Sequence, residues 1–271
     1  MNKNYTPKYY LPRVNPNDND PREYCNCCDW QDRYSLSLYW EQSNNIRYNN
    51  SGCYINSTGD DTPVPPLPIV SPASRAQTLV DLGRLHPMQI NIATGGKNFP
   101  DRNGGPVFPP FQDDVWSATP PLDDFILSGG QGGEISTVNL TDNQIAILTL
   151  FAIRQWPRLR LSAGQLLNVE WLYDRPRLTR GYRAFITRDG WNPNARITRA
   201  QLEPFPFWQD INQAIPYWRY PAALQPKTHH AISIPFNKRG HHVIVLLWLI
   251  ADFEDAVYQA FDIEIDSNIV Y

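Results

Sequence analysis

The stretch that decides the fold is His242-Val-Ile-Val-Leu-Leu-Trp248-Leu-Ile-Ala-Asp252, followed closely by Ala256-Val-Tyr-Gln-Ala-Phe-Asp262. Both runs are rich in β-branched and aromatic residues, and a short polar turn separates them, so they predict two neighbouring strands, His242–Ile250 and Ala256–Ile265. The most apolar part of the first run, 243–251, is too short to span a bilayer, which takes about 20 residues. We therefore expect a buried sheet here and no membrane span.

Four more segments carry the same strand signal, and turn residues separate them. These strand candidates are Ala146–Ile153, Leu167–Tyr173, Arg183–Thr187 and His230–Ile234. A short helix is predicted after Thr198, a suitable N-cap residue, and segment 77–134 is predicted to be loop-like because of its Gly and Pro pairs. Several strands with turns between them favour a β-sandwich for residues 69–271.

The composition excludes several classes of protein. With 25 Pro, 14 Tyr and 9 Trp in 271 residues, the chain disfavours a helical bundle and favours an all-β fold. Lys and Arg number 24 against 27 Asp and Glu, so no basic excess exists to bind nucleic acid without sequence preference. The first ten residues have no apolar core, so we expect no conventional signal peptide and a protein that is cytoplasmic or released by a non-classical route.

The chain is predicted to have two parts. Residues 1–65 are a Tyr- and Cys-rich extension that ends in a polyproline-like linker, Thr62-Pro-Val-Pro-Pro-Leu-Pro68, which is unsuited to a central strand. Residues 66–271 form the predicted sandwich domain.

Six motifs, in order along residues 66–265, resemble the bacterial lytic polysaccharide monooxygenases and related chitin-binding proteins. The last two strands are similar to that family's closing strands, and Ile234-Pro235 precedes them as it does there. The other matching motifs are Ser71-Pro-Ala-Ser-Arg-Ala76, Asp123-Asp-Phe-Ile-Leu-Ser128, Val169-Glu-Trp171 and Phe185-Ile-Thr-Arg-Asp-Gly-Trp191-Asn-Pro-Asn-Ala-Arg-Ile-Thr198-Arg-Ala200. The resemblance implies a fibronectin-III-like or immunoglobulin-like antiparallel β-sandwich with a long, partly helical loop insertion.

The resemblance also implies oxidative glycan cleavage at a copper ion held by two histidines, one of them the N-terminal residue. Here the corresponding positions are Pro66 and Phe125, and the family's axial aromatic is Val257. None of these side chains is a metal ligand, since copper prefers imidazole and amine nitrogens. We therefore expect no copper and no catalysis in this domain.

The family's usual disulfide is also replaced. Its two positions are occupied by Trp208 and Ile232, an apolar pair that can substitute for the bridge by packing. A domain without a disulfide can fold in a reducing compartment.

The five histidines do not supply a substitute copper site at the motif positions. Within each of the pairs His229–His230 and His241–His242, neighbouring side chains on a strand point to opposite faces. We expect structural or surface roles for these four, and for His86 as well.

The four cysteines, Cys25, Cys27, Cys28 and Cys53, all lie in the extension. One C-x-x-C is present where a structural zinc site usually pairs two, so zinc, disulfides and free thiols remain open alternatives.

Aromatic residues are the candidate binding residues. They are Phe99, Phe108, Phe111 and Trp116 in the loop, and Trp30, Tyr34 and Trp40 in the extension. Aromatic faces suit sugar rings, and Tyr and Trp are also enriched at protein interfaces. The alternative is that the loop aromatics pack the loop onto the sandwich.

The sequence therefore predicts a non-catalytic binding or assembly protein. It would recognise a chitin-like glycan or a protein partner, serve as a structural or virulence subunit, and form homo-oligomers through the N-terminal arm. The alternative function is a copper-dependent polysaccharide monooxygenase with a rebuilt metal site. Residues Trp171, Trp248 and Tyr258 are predicted to lie in the core because they sit in the strand motifs.

Overall fold

The computed structural model describes residues 47–48, 54–55, 69–107, 112–173 and 175–266. The chain divides into two units between Val64 and Pro65. In the first unit the structure describes the backbone pairing of β1 (Arg47–Tyr48) with β2 (Tyr54–Ile55), which are antiparallel. The predicted linker at 62–68 lies outside the described residues.

The second unit contains nine strands among its described residues. They are β3 (Val70–Ser71), β4 (Thr94–Gly96), β5 (Arg158–Ser162), β6 (Leu166–Trp171), β7 (Thr179–Ile186), β8 (Trp208–Ile211), β9 (His229–Ser233), β10 (Gly240–Ile250) and β11 (Asp255–Asp266). A large sheet has the order β4-β11-β10-β7-β8, with β5 also paired to β11, and a small sheet has the order β3-β6-β9. The two sheets form the predicted immunoglobulin-like sandwich.

In the described part of the second unit, two α-helices and five 3-10 helices connect the strands. The α-helices are α1 (Arg75–Asp81) and α2 (Asp142–Leu148), and the 3-10 helices are Pro87–Ile92, Ile126–Ser128, Glu134–Asn139, Arg199–Gln201 and Tyr217–Arg219. Ser74 caps α1 by accepting a hydrogen bond from the Gln77 amide. Thr198 caps the predicted short helix, which is a 3-10 helix. None of the helices in the described part of the chain is long and apolar enough to cross a membrane.

The core lies on both faces of the large sheet. On one face Trp248 packs against Trp171 and Tyr173 of the small-sheet side, with ring centroids 6.0 and 4.4 Å away. On the other face Phe185 and Tyr258 contact Phe99 of the loop segment, at 5.1 and 5.9 Å. Because the sheet is covered on both sides, β10 is a continuous apolar run rather than an alternating one.

Most predicted strands are confirmed, and one is wrong. The predictions at 167–173, 183–187, 230–234, 242–250 and 256–265 correspond to β6, β7, β9, β10 and β11. Trp171, Trp248 and Tyr258 are buried, as predicted. Segment 146–153, predicted as a strand, forms the end of α2 and a following turn, because Thr141 and Gln144 make a capping box that starts a helix. The sheet is also not wholly antiparallel, since β5 runs parallel to β11.

Candidate functional site

The candidate site is the loop segment 115–131, which contains the position of the family's internal copper ligand. Phe125 occupies that position and remains partly exposed, at 38%. Its amide donates to the Leu122 carbonyl over 3.2 Å, and its own carbonyl accepts from the Gly130 amide over 2.9 Å. The Arg196 guanidinium lies 5.6 Å from the centre of the Phe125 ring, within cation–π range.

Close backbone packing fixes this segment against β4. An added Cβ on Gly95 would lie 2.2 Å from the Gly129 carbonyl oxygen, so only glycine allows this approach. Gln131 Nε2 then donates to the Thr94 carbonyl over 2.7 Å. Thr94 is paired with Val257 across the sheet. The loop therefore lies beside β11, the strand that carries the position of the family's axial aromatic.

The side chains present here do not fit a copper ion. Phe125 and Val257 have no lone pair to donate, and Val257 is buried. Pro66, at the position of the family's N-terminal copper-binding histidine, lies outside the described residues. Among residues 69–107, 112–173 and 175–266, no group of three His, Cys, Asp or Glu side chains could hold a metal ion. We therefore derive no reaction step through copper.

Arg199 ties the loop to the rest of the molecule. Its Nε donates to the Pro100 carbonyl over 2.7 Å, its Nη2 donates to the Pro121 carbonyl over 2.6 Å, and its Nη1 donates to Asp123 Oδ1 over 3.0 Å. The guanidinium also lies 5.2 Å from the centre of the Phe99 ring. Arg199 thus joins the chain at Pro100 to the chain at Pro121 and Asp123, just before Phe125.

Asp123 is the anionic partner in this cluster. Arg102 Nη2 donates to its other carboxylate oxygen over 3.0 Å, and the Arg199 amide also donates to Asp123. Partial burial acts to raise the pKa of Asp123, but the hydrogen bonds from Arg199 and Arg102 outweigh it and lower that pKa below its ordinary value. The carboxylate therefore stays charged and holds the loop at neutral pH. Arg199 belongs to the Phe185–Ala200 motif, but nothing in the sequence indicates this role, because its partners lie about 76 to 99 residues away.

The predicted aromatic binding residues differ in their exposure to solvent. Phe99 is fully buried against Phe185 and Tyr258, which favours the packing alternative for this residue over contact with a ligand. Trp116 is 64% exposed and available to a partner, and Leu122 in the same segment is 71% exposed. Phe108 and Phe111 lie outside the described residues, as do Trp30, Tyr34, Trp40 and the cysteines Cys25, Cys27, Cys28 and Cys53.

Two of the histidines are buried structural residues. His230 packs against the Tyr182 ring at 4.2 Å, and burial lowers its pKa to about 4. His242 Nδ1 lies 3.0 Å from Thr187 Oγ1, and burial lowers the pKa of His242 as well. Both side chains are therefore neutral at pH 7 and are enclosed by their own partners.

The other three histidines have separate partners. His241 Nε2 lies 2.9 Å from Asp262 Oδ1 in a buried ion-pair cluster with Arg75. His229 is exposed near Glu170, and His86 caps the 3-10 helix at Pro87–Ile92. Of each adjacent pair the second member is the more buried, as the predicted strand alternation requires.

The positions of the family disulfide lie on opposing sheets. Ile232 in β9 is fully buried, and Trp208 in β8 is partly buried against the same core. Apolar packing thus occupies both places, as expected.

Comparison with known proteins identifies the family. A sequence model described as lytic polysaccharide mono-oxygenase, cellulose-degrading, matches residues 69–263. The chain belongs to this family. The GlcNAc-binding protein A of Photobacterium profundum is 28% identical over 147 residues, which cover 54% of this chain and 28% of that protein. The lytic chitin monooxygenase of Enterococcus faecalis is 28% identical over 111 residues, which cover 41% of this chain and 52% of that enzyme.

Solved structures agree with the fold. A chitin binding domain from Burkholderia pseudomallei is 34% identical, with a TM-score of 0.65, and the match covers 72% of this chain and 96% of that domain. A lytic polysaccharide monooxygenase from Streptomyces lividans, 24% identical, has a TM-score of 0.51 over 71% of this chain and 96% of that enzyme, which shows the common fold alone. The chain spans just over a quarter of the length of the GlcNAc-binding protein it matches.

Proposed function

We propose that this protein is a non-catalytic member of the family that binds a chitin-like glycan through the exposed side chains of segment 115–131. The observation that carries the proposal is Phe125, an exposed aromatic ring in the place of a copper ligand. An aromatic ring buries the C–H face of a sugar, while an imidazole at that place would hold a metal. Trp116, also exposed, adds a second ring to the same segment.

Similar proteins support the glycan part of the proposal. The named relatives include GlcNAc-binding proteins and a chitin binding domain, and the family description refers to cellulose. We therefore favour chitin as the ligand and treat cellulose as the comparison polymer. The backbone on either side of Phe125 is fixed by the Arg199 cluster and by the Gly95–Gly129 contact, so this part of the segment loses little conformational freedom on binding.

A pull-down with insoluble chitin tests this proposal. We expect the full-length chain to bind chitin more strongly than cellulose, and we expect Phe125→Ala and Trp116→Ala each to weaken binding. Phe236→Ala is the matched control, because Phe236 is also an exposed ring. It lies between β9 and β10, next to Gly164 of the turn between β5 and β6. A chain that binds neither polymer would refute the proposal. Oxidised oligosaccharides released with copper and ascorbate would instead support the enzyme alternative.

The second part of the proposal concerns assembly through residues 1–65. This extension holds eight Tyr and two Trp before residue 55, a content that is unusual for a disordered tail. We expect the full chain to form homo-oligomers, and we expect the combined changes Trp30→Ser, Tyr34→Ser and Trp40→Ser to shift it toward monomer. Light scattering after size exclusion, with and without reductant, measures this. An unchanged mass would count against assembly by the arm.

A further inference from the structure

A second aromatic surface lies between β8 and β9, outside the segment that carries Phe125. It is the aromatic loop, defined as residues 212–224. Trp218 is 59% exposed and Tyr220 is 47% exposed, and Arg219 between them is also exposed. By contrast Leu224, at the end of the loop, is fully buried.

Both ends of the aromatic loop are fixed to the start of β7. The buried Arg180 donates through Nη1 to the carbonyls of Asn212 and Ala214, each over 2.8 Å. At the far end the Thr179 amide donates to the Leu224 carbonyl over 2.6 Å. The Asn212 side-chain amide closes the base by donating to the Ala223 carbonyl. The loop is therefore a preorganised projection.

The apex of the loop orients the Trp218 ring. Tyr217–Arg219 form one 3-10 turn, in which the Arg219 amide donates to the Pro216 carbonyl over 3.1 Å. Tyr217 meets Trp218 edge to face, with centroids 5.2 Å apart and planes at 82°. Tyr217 thus supports the indole on one side while much of its surface stays in solvent.

Arg180 also joins this loop to the segment that carries Trp116. The same guanidinium donates through Nε and Nη2 to the carboxylate of Asp114, two residues before Trp116, over 2.8 and 2.6 Å. Two segments that each expose a tryptophan are therefore fixed to one buried side chain, which places their bases next to each other.

We propose that the aromatic loop is a second contact for the same polysaccharide, with Trp218 and Tyr220 stacking on sugar rings and Arg219 bonding to hydroxyl groups. This inference rests on the proposed function. Among the residues of the loop, the exposed large side chains are aromatic, amide or guanidinium groups, while the two large aliphatic residues are fully buried (Leu224) or partly buried (Ile215). Such a set suits a sugar ring, which offers an apolar face and a polar edge.

The exposed position of the loop, outside the two grooves, favours a flat polymer over a protein partner. Protein interfaces concentrate their binding energy in a few side chains that are enclosed in desolvated pockets and surrounded by contacts that exclude water. None of the residues lining the two described grooves, of about 660 and 480 Å³, belongs to the aromatic loop. A projecting ring with a free face can instead lie against the surface of an insoluble polysaccharide.

Binding isotherms on insoluble chitin with the full-length chain test the inference. We expect Trp218→Ala to weaken binding by about three- to tenfold, as loss of one ring stack predicts, and Trp218→Tyr to restore most of it. The double variant Trp218→Ala/Tyr220→Ala should bind still more weakly. Phe236→Ala is again the matched control and should bind like the unaltered protein.

The outcomes separate this inference from the proposed function. If the unaltered chain binds chitin and the Trp218 and Tyr220 variants bind equally well, only the second contact is refuted. If the unaltered chain does not bind, both proposals fail. If the double variant changes the oligomeric mass and leaves chitin binding intact, the loop is a protein interface, which also overturns the inference. Unchanged melting temperatures show that the variants are folded.

Discussion

Arg180 and Asp114 form a two-pronged ion pair in which neither side chain has any solvent-exposed surface. Arg180 extends from β7, and Asp114 lies in the loop before Trp116, so the pair joins the large sheet to an exposed part of the candidate site. Because Arg180 also bonds to Asn212 and Ala214, this one contact determines the position of two surfaces.

Breaking this pair should destabilise the domain strongly. We expect Asp114→Asn to lower the free energy of unfolding by about 3–5 kcal/mol, because it leaves a buried guanidinium charge without its counterion. Urea denaturation measures the loss. The control is Arg102→Ala, which removes an exposed pair with Asp123 and should cost less than about 1 kcal/mol. Equal costs for the two variants would contradict the assigned role of Arg180.

Removing the central tryptophan of the core should have a comparable effect. Trp248 is 2% exposed, and its Nε1 donates to Thr179 Oγ1 over 2.7 Å. We expect Trp248→Ala to cost about 3–5 kcal/mol of unfolding free energy, since it leaves a large cavity and removes the hydrogen bond to Thr179. The exposed Trp218→Ala should stay within about 0.5 kcal/mol of the unaltered protein. A small loss at Trp248 would mean that the two sheets can close over the gap.

Stability should fall as the pH drops from about 6.5 to about 4. Burial lowers the pKa of His230 to about 4, while an unfolded histidine titrates near 6.5. In that window the unfolded chain binds a proton that the folded chain does not, so unfolding becomes more favourable, by up to about 3 kcal/mol. Above about pH 6.5 the contribution of His230 is constant.

Matched histidine variants isolate this effect. His230→Gln should flatten the pH dependence of unfolding between pH 4 and 7, whereas His229→Gln, at the exposed neighbour, should leave it unchanged. Denaturant titrations at several pH values provide the measurement. An identical slope in both variants would place the responsible group elsewhere, for example at His242, whose pKa burial also lowers.

Copper titration checks whether the chain binds copper although both copper-binding histidine positions of the family are changed. We expect no submicromolar copper site in the full-length chain once Cys25, Cys27, Cys28 and Cys53 are replaced by serine, because Phe125 and Val257 offer no ligand atoms. Isothermal titration calorimetry gives the stoichiometry and affinity. Tight binding of one copper per chain that disappears when His229, His230, His241 or His242 is changed would restore the monooxygenase alternative.

The predictability of the fold from sequence depends on how local its signals are. β10 and β11 could be predicted because their long apolar runs leave no other arrangement. Segment 146–153 is the end of a helix and a turn instead of the predicted strand, because a short apolar run suits a strand or a helix and the capping box at Thr141 decides between them. β5 is not among the predicted strands, although Arg158-Leu-Arg-Leu161 alternates polar and apolar residues as a half-buried strand does.

The candidate site was harder to predict because its residues are set by tertiary contacts. Phe99 and Trp116 lie in similar Gly- and Pro-rich sequence, yet one is buried and the other is exposed. Only the position of the loop on the sheet distinguishes them. The roles of Arg199 and Arg180 could not be predicted from the sequence either, because their hydrogen-bond partners come from segments far away in the sequence.

The position of β11 has a consequence for how the protein is made. This strand, at 255–266, borders β10, β4 and β5, and its partner β4 lies more than half the chain length away. On the ribosome, β4, β5 and β10 must therefore wait for β11 before the large sheet can close, and pairing at such separation is slow. A chain interrupted before residue 255 would leave the apolar surface of β10 and an unpaired edge exposed, which favours aggregation over partial folding.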